Sequence, residues 1–245
     1  NKLKEYGYKI LGTSFEAIDI SEDRERFQKL IQKVGLKQPK SDISLGTKEL
    51  VTKSSKLKFP ILLRPSYVLG GRMMEKMANL DDVQDYIDQN YWALENNVIL
   101  IDEFLQNAKE VDVDVLRDNQ GNTMIAGIME HIEEAGIHSG DSACSIPPFS
   151  LNDKIISDIK KFSISLVNEL KILGLMNIQY AIKDDEIFIL EANPRASRTI
   201  PFLAKAIGIP FIKIAAELIV GKTLTEDYQN FDNNTLPYFA IKEAV

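Results

Sequence analysis

A single cysteine, Cys144, leaves the chain without an internal disulfide, the pattern of a reducing compartment, and a cytoplasmic setting is the expectation. The two histidines, His131 and His138, are spaced too loosely for a helical zinc pair, and no second thiol supports them. With that lone cysteine unpartnered, a Cys–His nucleophile is excluded as well. No apolar run approaches the ~20 residues that span a bilayer, so no membrane partner is expected, and the N-terminal segment does not resemble a signal peptide. Acidic residues outnumber basic ones. A net charge of −7 argues against a nucleic-acid partner. It leaves room for a small anion, because Arg64, Arg72, Arg195 and Arg198 can build a local cationic site. Internal repeats and low-complexity stretches are missing too. At 245 residues, with 44% hydrophobic and 27% charged, the chain can bury a core as one domain or two lobes. It opens on Asn1 rather than Met, which is the expectation for a piece of a longer protein.

What is present concentrates in one stretch. Residues 176–182 and 187–193 read as two β-branched-rich strands joined by an acidic turn and closed by Pro194. Alternation puts Glu191 and Asn193 on one face of the second strand with Ile187 and Ile189 behind them, and Phe188, Leu190 and Ala192 on the other. A three-residue loop, 184–186, sets Gln179 opposite Glu191; a two-residue loop sets them on opposite faces. In the first register one carboxylate and two amides converge, all presenting oxygen, which suits a hard cation such as Mg²⁺. Arg195 and Arg198 follow on a loop stiffened by Pro194. Fixed guanidinium groups beside a metal suit a transferring phosphoryl group. A solvated surface hairpin is the other reading of the same residues.

The remaining elements read in order as follows. Residues 9–14 look like a strand without a partner, the end of an N-terminal arm over 1–20. Ser21 is placed to cap a helix running to Val34, and 42–56 reads as a second helix that Gly46 weakens. Residues 59–65 form a strand ending in Arg64, followed by a loop, 66–72, that carries Gly70 and Gly71. A buried strand seldom ends in arginine without an anionic partner. Asn79 caps a helix to Trp92, and 98–104 is an apolar strand. In 110–115 valines alternate with Glu110, Asp112 and Asp114, the pattern of a half-exposed strand, with 123–130 returning beside it. His131 and Cys144 read as structural. Ser150 with Asp153 makes a capping box for a long helix. Pro201 and Pro210 start two more helices that Gly208 and Gly221 end, and strand character returns over 238–242.

Glu-Ala-Asn-Pro-Arg-Ala-Ser-Arg-Thr, residues 191–199, resembles the metal and phosphate segment of ATP-grasp enzymes. With Arg-Pro-Ser-Tyr-Val-Leu-Gly-Gly-Arg at 64–72 and His-Ser-Gly-Asp-Ser-Ala-Cys at 138–144, the chain is similar to the large subunit of carbamoyl phosphate synthetase from about Ile10 onward. The likeness is to the second of that subunit's two ATP-grasp units. It implies an α+β ATP-grasp fold over 21–245, two lobes holding ATP between antiparallel sheets, with a smaller lid lobe over roughly 44–103. It further implies Gln179, Glu191 and Asn193 as ligands of Mg²⁺ or Mn²⁺, and Arg64, Arg195 and Arg198 around the γ-phosphoryl group. Glu103 and Leu105 fall at the adenine hinge, Glu110 at the ribose, and Gly136, Ile137, His138 and Ser139 against the nucleotide. The reaction implied is phosphorylation of carbamate, itself derived from bicarbonate. The implied partners are the rest of the large subunit and a glutamine amidotransferase small subunit. Another ATP-grasp ligase or carboxylase, or an ATP-binding module without catalysis, are the competing readings.

Overall fold

The computed structural model describes residues 5–8, 10–65, 73–135, 142–232 and 236–243. The chain divides into two units, Asn1–Gln38 together with Asn107–Val245, and Pro39–Gln106.

The first unit opens with two short helices where the sequence suggested a strand and one longer helix. Ser14 accepts the Ala17 N–H and starts α1 (Phe15–Glu22), and Asp23 accepts the Arg26 N–H and starts α2 (Arg24–Val34), which Gly35 closes at φ +80°. Each cap stands at the first turn with an oxygen aimed at an otherwise unpaired N–H. Ser21 lies inside α1 and donates to the Ala17 carbonyl instead. Residues 10–14 form no strand; Thr13 ties this segment to the backbone of Leu173.

The second unit contains β1 (Ser41–Leu45), α3 (Leu50–Ser54), β2 (Ile61–Pro65), β3 (Glu75–Met77), α4 (Leu80–Leu94) and β4 (Val98–Glu103). Its antiparallel sheet runs β1-β4-β2-β3 around Leu50, Ile61, Leu63, Val83, Tyr86, Ile99 and Ile101, all buried. The helix expected over 42–56 is thus half strand. Ser41–Leu45 pairs with β4, which starts the unit at Pro39 rather than near 44. Gly46 ends the strand at φ +71°, where a Cβ would lie 2.2 Å from the Glu95 carbonyl oxygen. Only glycine fits that approach. Asn79 caps α4 by accepting the Asp81 and Asp82 N–H groups, while Asp82 reaches back to the Ala78 N–H.

Back in the first unit come β5 (Lys109–Arg117), β6 (Thr123–Glu134), β7 (Cys144–Ile146), α5 (Asp153–Glu169), β8 (Gly174–Lys183), β9 (Glu186–Asn193), α6 (Ile200–Ile207), α7 (Phe211–Ile219), α8 (Glu226–Gln229) and β10 (Ala240–Lys242). The antiparallel sheet order is β10-β7-β6-β5-β8-β9. One face packs Val111, Val113, Val115, Ile178, Tyr180 and Ile189 against α1, α2 and α5. The other packs Leu116, Met124 and Leu175 under Leu203 of α6 and Phe211 and Leu218 of α7. At Gly127 an added Cβ would meet Leu203 Cδ2 at 2.4 Å, so the missing side chain lets α6 settle onto the sheet.

Two local expectations give way here. The cap of α5 is Asn152, which accepts the Ile155 N–H at 2.9 Å, whereas Ser150 hydrogen-bonds Glu130 and Lys109. β5 is not half-exposed. It is a central strand, and Glu110, Asp112 and Asp114 are as buried as the valines between them.

Candidate functional site

The acidic face of β5 continues across β8 and β9 as two rows of polar side chains. Asp112 pairs with Gln179, and Gln179 with Glu191; in the next row Asp114 pairs with Asn177, and Asn177 with Asn193. Directly opposed side chains on one sheet face have Cβ atoms about 4.5–5.5 Å apart. Gln179, Glu191 and Asn193 therefore converge at one edge of this face.

They converge by a route the sequence did not show. The turn has two residues, Asp184 and Asp185, both left-handed at φ +52° and +60°, and Lys183 pairs with Glu186. In a regular ladder that turn would put Gln179 opposite Leu190 and send Glu191 to the far face. A β-bulge between Gln179 and Tyr180 prevents this: Tyr180 pairs with Ile189, Gln179 pairs with Glu191, and Leu190 is the extra residue. The three-residue loop is thus corrected to two residues plus a bulge. The bulge also explains why Ile187 and Ile189 pack in the apolar core while Glu191, two residues on, is exposed.

The amide nitrogen of Asn193 donates to Glu191 Oε1 at 2.8 Å, which preorganises the carboxylate. All three side chains carry oxygen, the donor type that Mg²⁺ and Mn²⁺ accept. Among the described residues no group of three or more His, Cys, Asp and Glu could hold a metal, so a cation here would rest on one carboxylate and two amides.

Beneath these residues lies a buried network. His131 Nε2 is 3.0 Å from Asp112 Oδ2, and its Nδ1 lies 3.9 Å from Glu110 Oε1. The Asn177 amide donates to Asp112 at 3.3 Å and to Asp114 at 3.2 Å. Asp114 Oδ2 accepts Ser197 Oγ at 2.8 Å and Thr199 Oγ1 at 3.1 Å. Burial, and then the neighbouring Asp112 carboxylate, push the Asp114 carboxyl up to about 7 against the lowering effect of its donors. Asn177, Ser197 and Thr199 were not singled out from sequence, and Asp114 was read only as part of a half-exposed strand. The signal for Asp114 was the strict acid–valine alternation of β5, which also occurs in strands with one wet face.

Arg195 and Arg198 are exposed on the loop between β9 and α6, and Arg195 donates to the Ala196 carbonyl at 3.2 Å. In the second unit, Arg64 Nε and Nη2 both donate to Asp102 Oδ2, at 2.9 and 2.5 Å. Asp102 is therefore the anionic partner within the chain that an arginine at a strand end requires. Glu103 Oε1 accepts the Lys58 N–H at 2.9 Å, and Leu105 follows, half-buried. Gly136, Ile137, His138 and Ser139, and the loop with Gly70 and Gly71, lie outside the described residues. Cys144 is buried on β7, and burial pushes its thiol up to about 11. Among the described residues no helix is long and apolar enough to cross a membrane.

Residues 23–227 match the family described as "Carbamoyl-phosphate synthase L chain, ATP binding domain". The carbamoyl phosphate synthase large chain of Xanthomonas axonopodis pv. citri is 45% identical over 249 residues, covering 99% of this chain and 23% of that protein. The chain thus spans about a quarter of the length of that relative. Among solved structures, biotin carboxylase from Campylobacter jejuni in complex with a β,γ-ATP ligand superposes with TM-score 0.76 at 16% identity, over 93% of this chain and 52% of that one. The biotin carboxylase domain of Hydrogenobacter thermophilus 2-oxoglutarate carboxylase, solved with MgADP and bicarbonate, gives 0.74 at 16% identity, over 98% and 53%. At that identity the likeness concerns the fold, an α+β ATP-grasp.

Proposed function

The chain belongs to the carbamoyl-phosphate synthase L chain ATP-binding family, and from that membership we propose that it binds MgATP and phosphorylates carbamate to carbamoyl phosphate. The observation that supports this most is the convergence of Gln179, Glu191 and Asn193 beside the loop of Arg195 and Arg198.

Gln179, Glu191 and Asn193 would hold Mg²⁺, or Mn²⁺ in its place, and the ion would supply positive charge against that of the phosphates. Arg195 and Arg198 face the charge that builds on the γ-phosphoryl oxygens as a carbamate oxygen bonds to phosphorus and the bond to the β-phosphate oxygen breaks, releasing ADP. Glu110 is assigned to the ribose hydroxyls. Arg64 is assigned to the phosphates, and the segment from Glu103 to Leu105 to adenine, by the same family reading. The same family reading assigns Gly136, Ile137, His138 and Ser139, outside the described residues, to the nucleotide. Glutamine hydrolysis and bicarbonate activation fall to a glutamine amidotransferase subunit and to the rest of a large subunit.

The test is the reverse half-reaction in the full-length protein. Carbamoyl phosphate with MgADP yields ATP if the proposal holds. No ATP formed from carbamoyl phosphate refutes it, and a non-catalytic module would bind ATP without turning it over.

A further inference from the structure

We propose that Asp114 is a positioning residue, which holds the Arg195–Arg198 loop in its working shape by gripping Ser197 and Thr199 from the sheet below. The inference rests on the phosphoryl-transfer reading for what the arginines do, but the grip itself is geometric.

Four observations carry it. The loop leaves β9 at Asn193 and enters α6 at Ile200, with both arginines exposed. Between and just after them, Ser197 and Thr199 turn inward, and both hydroxyls reach one oxygen of Asp114, at 2.8 and 3.1 Å. The two hydroxyls touch each other at 2.8 Å, and Ser197 Oγ also accepts the Ile200 N–H at 3.1 Å. Thr199, at the N-terminus of α6, makes no side-chain cap bond, so Ser197 caps the helix while anchoring the loop. Finally, Asp114 is fully buried in the central strand, and its cross-strand neighbour Gly127 receives Leu203 of the same helix. One point on the sheet therefore fixes both the start of α6 and the loop before it. A buried carboxylate with three donors is a rigid anchor, while an exposed loop bearing two long cations would otherwise sample many shapes.

The grip predicts a split between binding and turnover. ATP affinity draws on contacts throughout the domain, whereas a cation that must meet a developing charge tolerates little displacement. The experiment compares Ser197→Ala, Thr199→Val, their double variant and Thr199→Ser in the full-length protein. Two quantities are read: the rate of tryptic cleavage after Arg195 and Arg198, mapped by mass spectrometry, and kcat and KM for MgADP in ATP formation from carbamoyl phosphate. In the double variant, cleavage at these two bonds should rise at least about tenfold and kcat fall at least about tenfold. KM should stay within about threefold, and Thr199→Ser, which keeps the hydroxyl, should recover most of the loss of Thr199→Val. Unchanged cleavage or unchanged kcat in the double variant overturns the proposal, as does an equal loss in Thr199→Ser and Thr199→Val. Should the double variant fail to fold, the same criteria apply to Ser197→Ala alone, whose side chain is only half-buried. Arg195→Ala and Arg198→Ala separate the two readings: native turnover in both refutes the role assigned to the arginines, while the cleavage rates still test the grip.

Discussion

Gln179 faces Glu191 across the last two strands of the large sheet because Leu190 is squeezed out of the ladder between them. The tight turn alone would have given the wrong parity. The bulge restores it, and so sets one carboxylate and two amides on the face that carries the buried acids of β5.

That turn is made by two aspartates in left-handed backbone, a conformation that costs a non-glycine residue about 1 kcal/mol. Asp185→Gly should therefore stabilise the hairpin by roughly 0.5–1 kcal/mol, while Asp185→Val should destabilise it. Urea unfolding midpoints of the two variants check the sign.

Much of the candidate site was legible in the sequence because it sits in contiguous segments. Glu191 to Thr199 brings a carboxylate, an amide, two arginines and two hydroxyls within nine residues. What the sequence concealed depended on contacts between distant segments. Strand alternation cannot distinguish an edge strand with a wet face from a central strand with an acidic buried one, so Asp112 and Asp114 were read as exposed. Nor can it register a bulge, which is a property of a pair of strands. Asn79 caps its helix as expected, but two other caps failed for a different reason: Ser14, Asp23 and Asn152 compete with Ser21 and Ser150 nearby, and only the folded geometry selects among them.

Asp114 keeps its proton up to about 7, against an ordinary 3.8, because of burial first and Asp112 second. Between these values the native state binds more protons than the unfolded chain, so this group's contribution to stability falls as pH rises and is flat above about 7. Asp114→Asn cannot titrate. The stability of the native protein minus that of the variant should fall from about pH 5 to about pH 7 and then level off. A difference that rises over that window contradicts the assignment.

Gly127→Ala places a methyl against Leu203. Overpacking of this kind costs typically about 1–3 kcal/mol. Leu203→Ala, made in the same background, removes the clashing atoms, so the double variant should be more stable than the sum of the singles predicts. Denaturant unfolding of all four proteins measures the coupling, expected at about 0.5–3 kcal/mol.

Arg64 and Asp102 form a partly exposed pair, which is worth little to stability, under about 1 kcal/mol. Arg64→Ala should leave the unfolding midpoint nearly unchanged yet lower turnover at least about tenfold. If Asp102 is the only group Arg64 serves, turnover will instead stay native in both Arg64→Ala and Asp102→Asn.

Glu191 is proposed to hold the cation at the point of phosphoryl transfer. Glu191 is exposed, so Glu191→Gln should leave the fold and melting temperature almost untouched. The direct measurement is ATP formation from carbamoyl phosphate and MgADP by the full-length protein carrying Glu191→Gln. The account predicts a loss of about 100-fold or more, the scale on which a single charge-stabilising group acts; a rate near that of the native protein would contradict it.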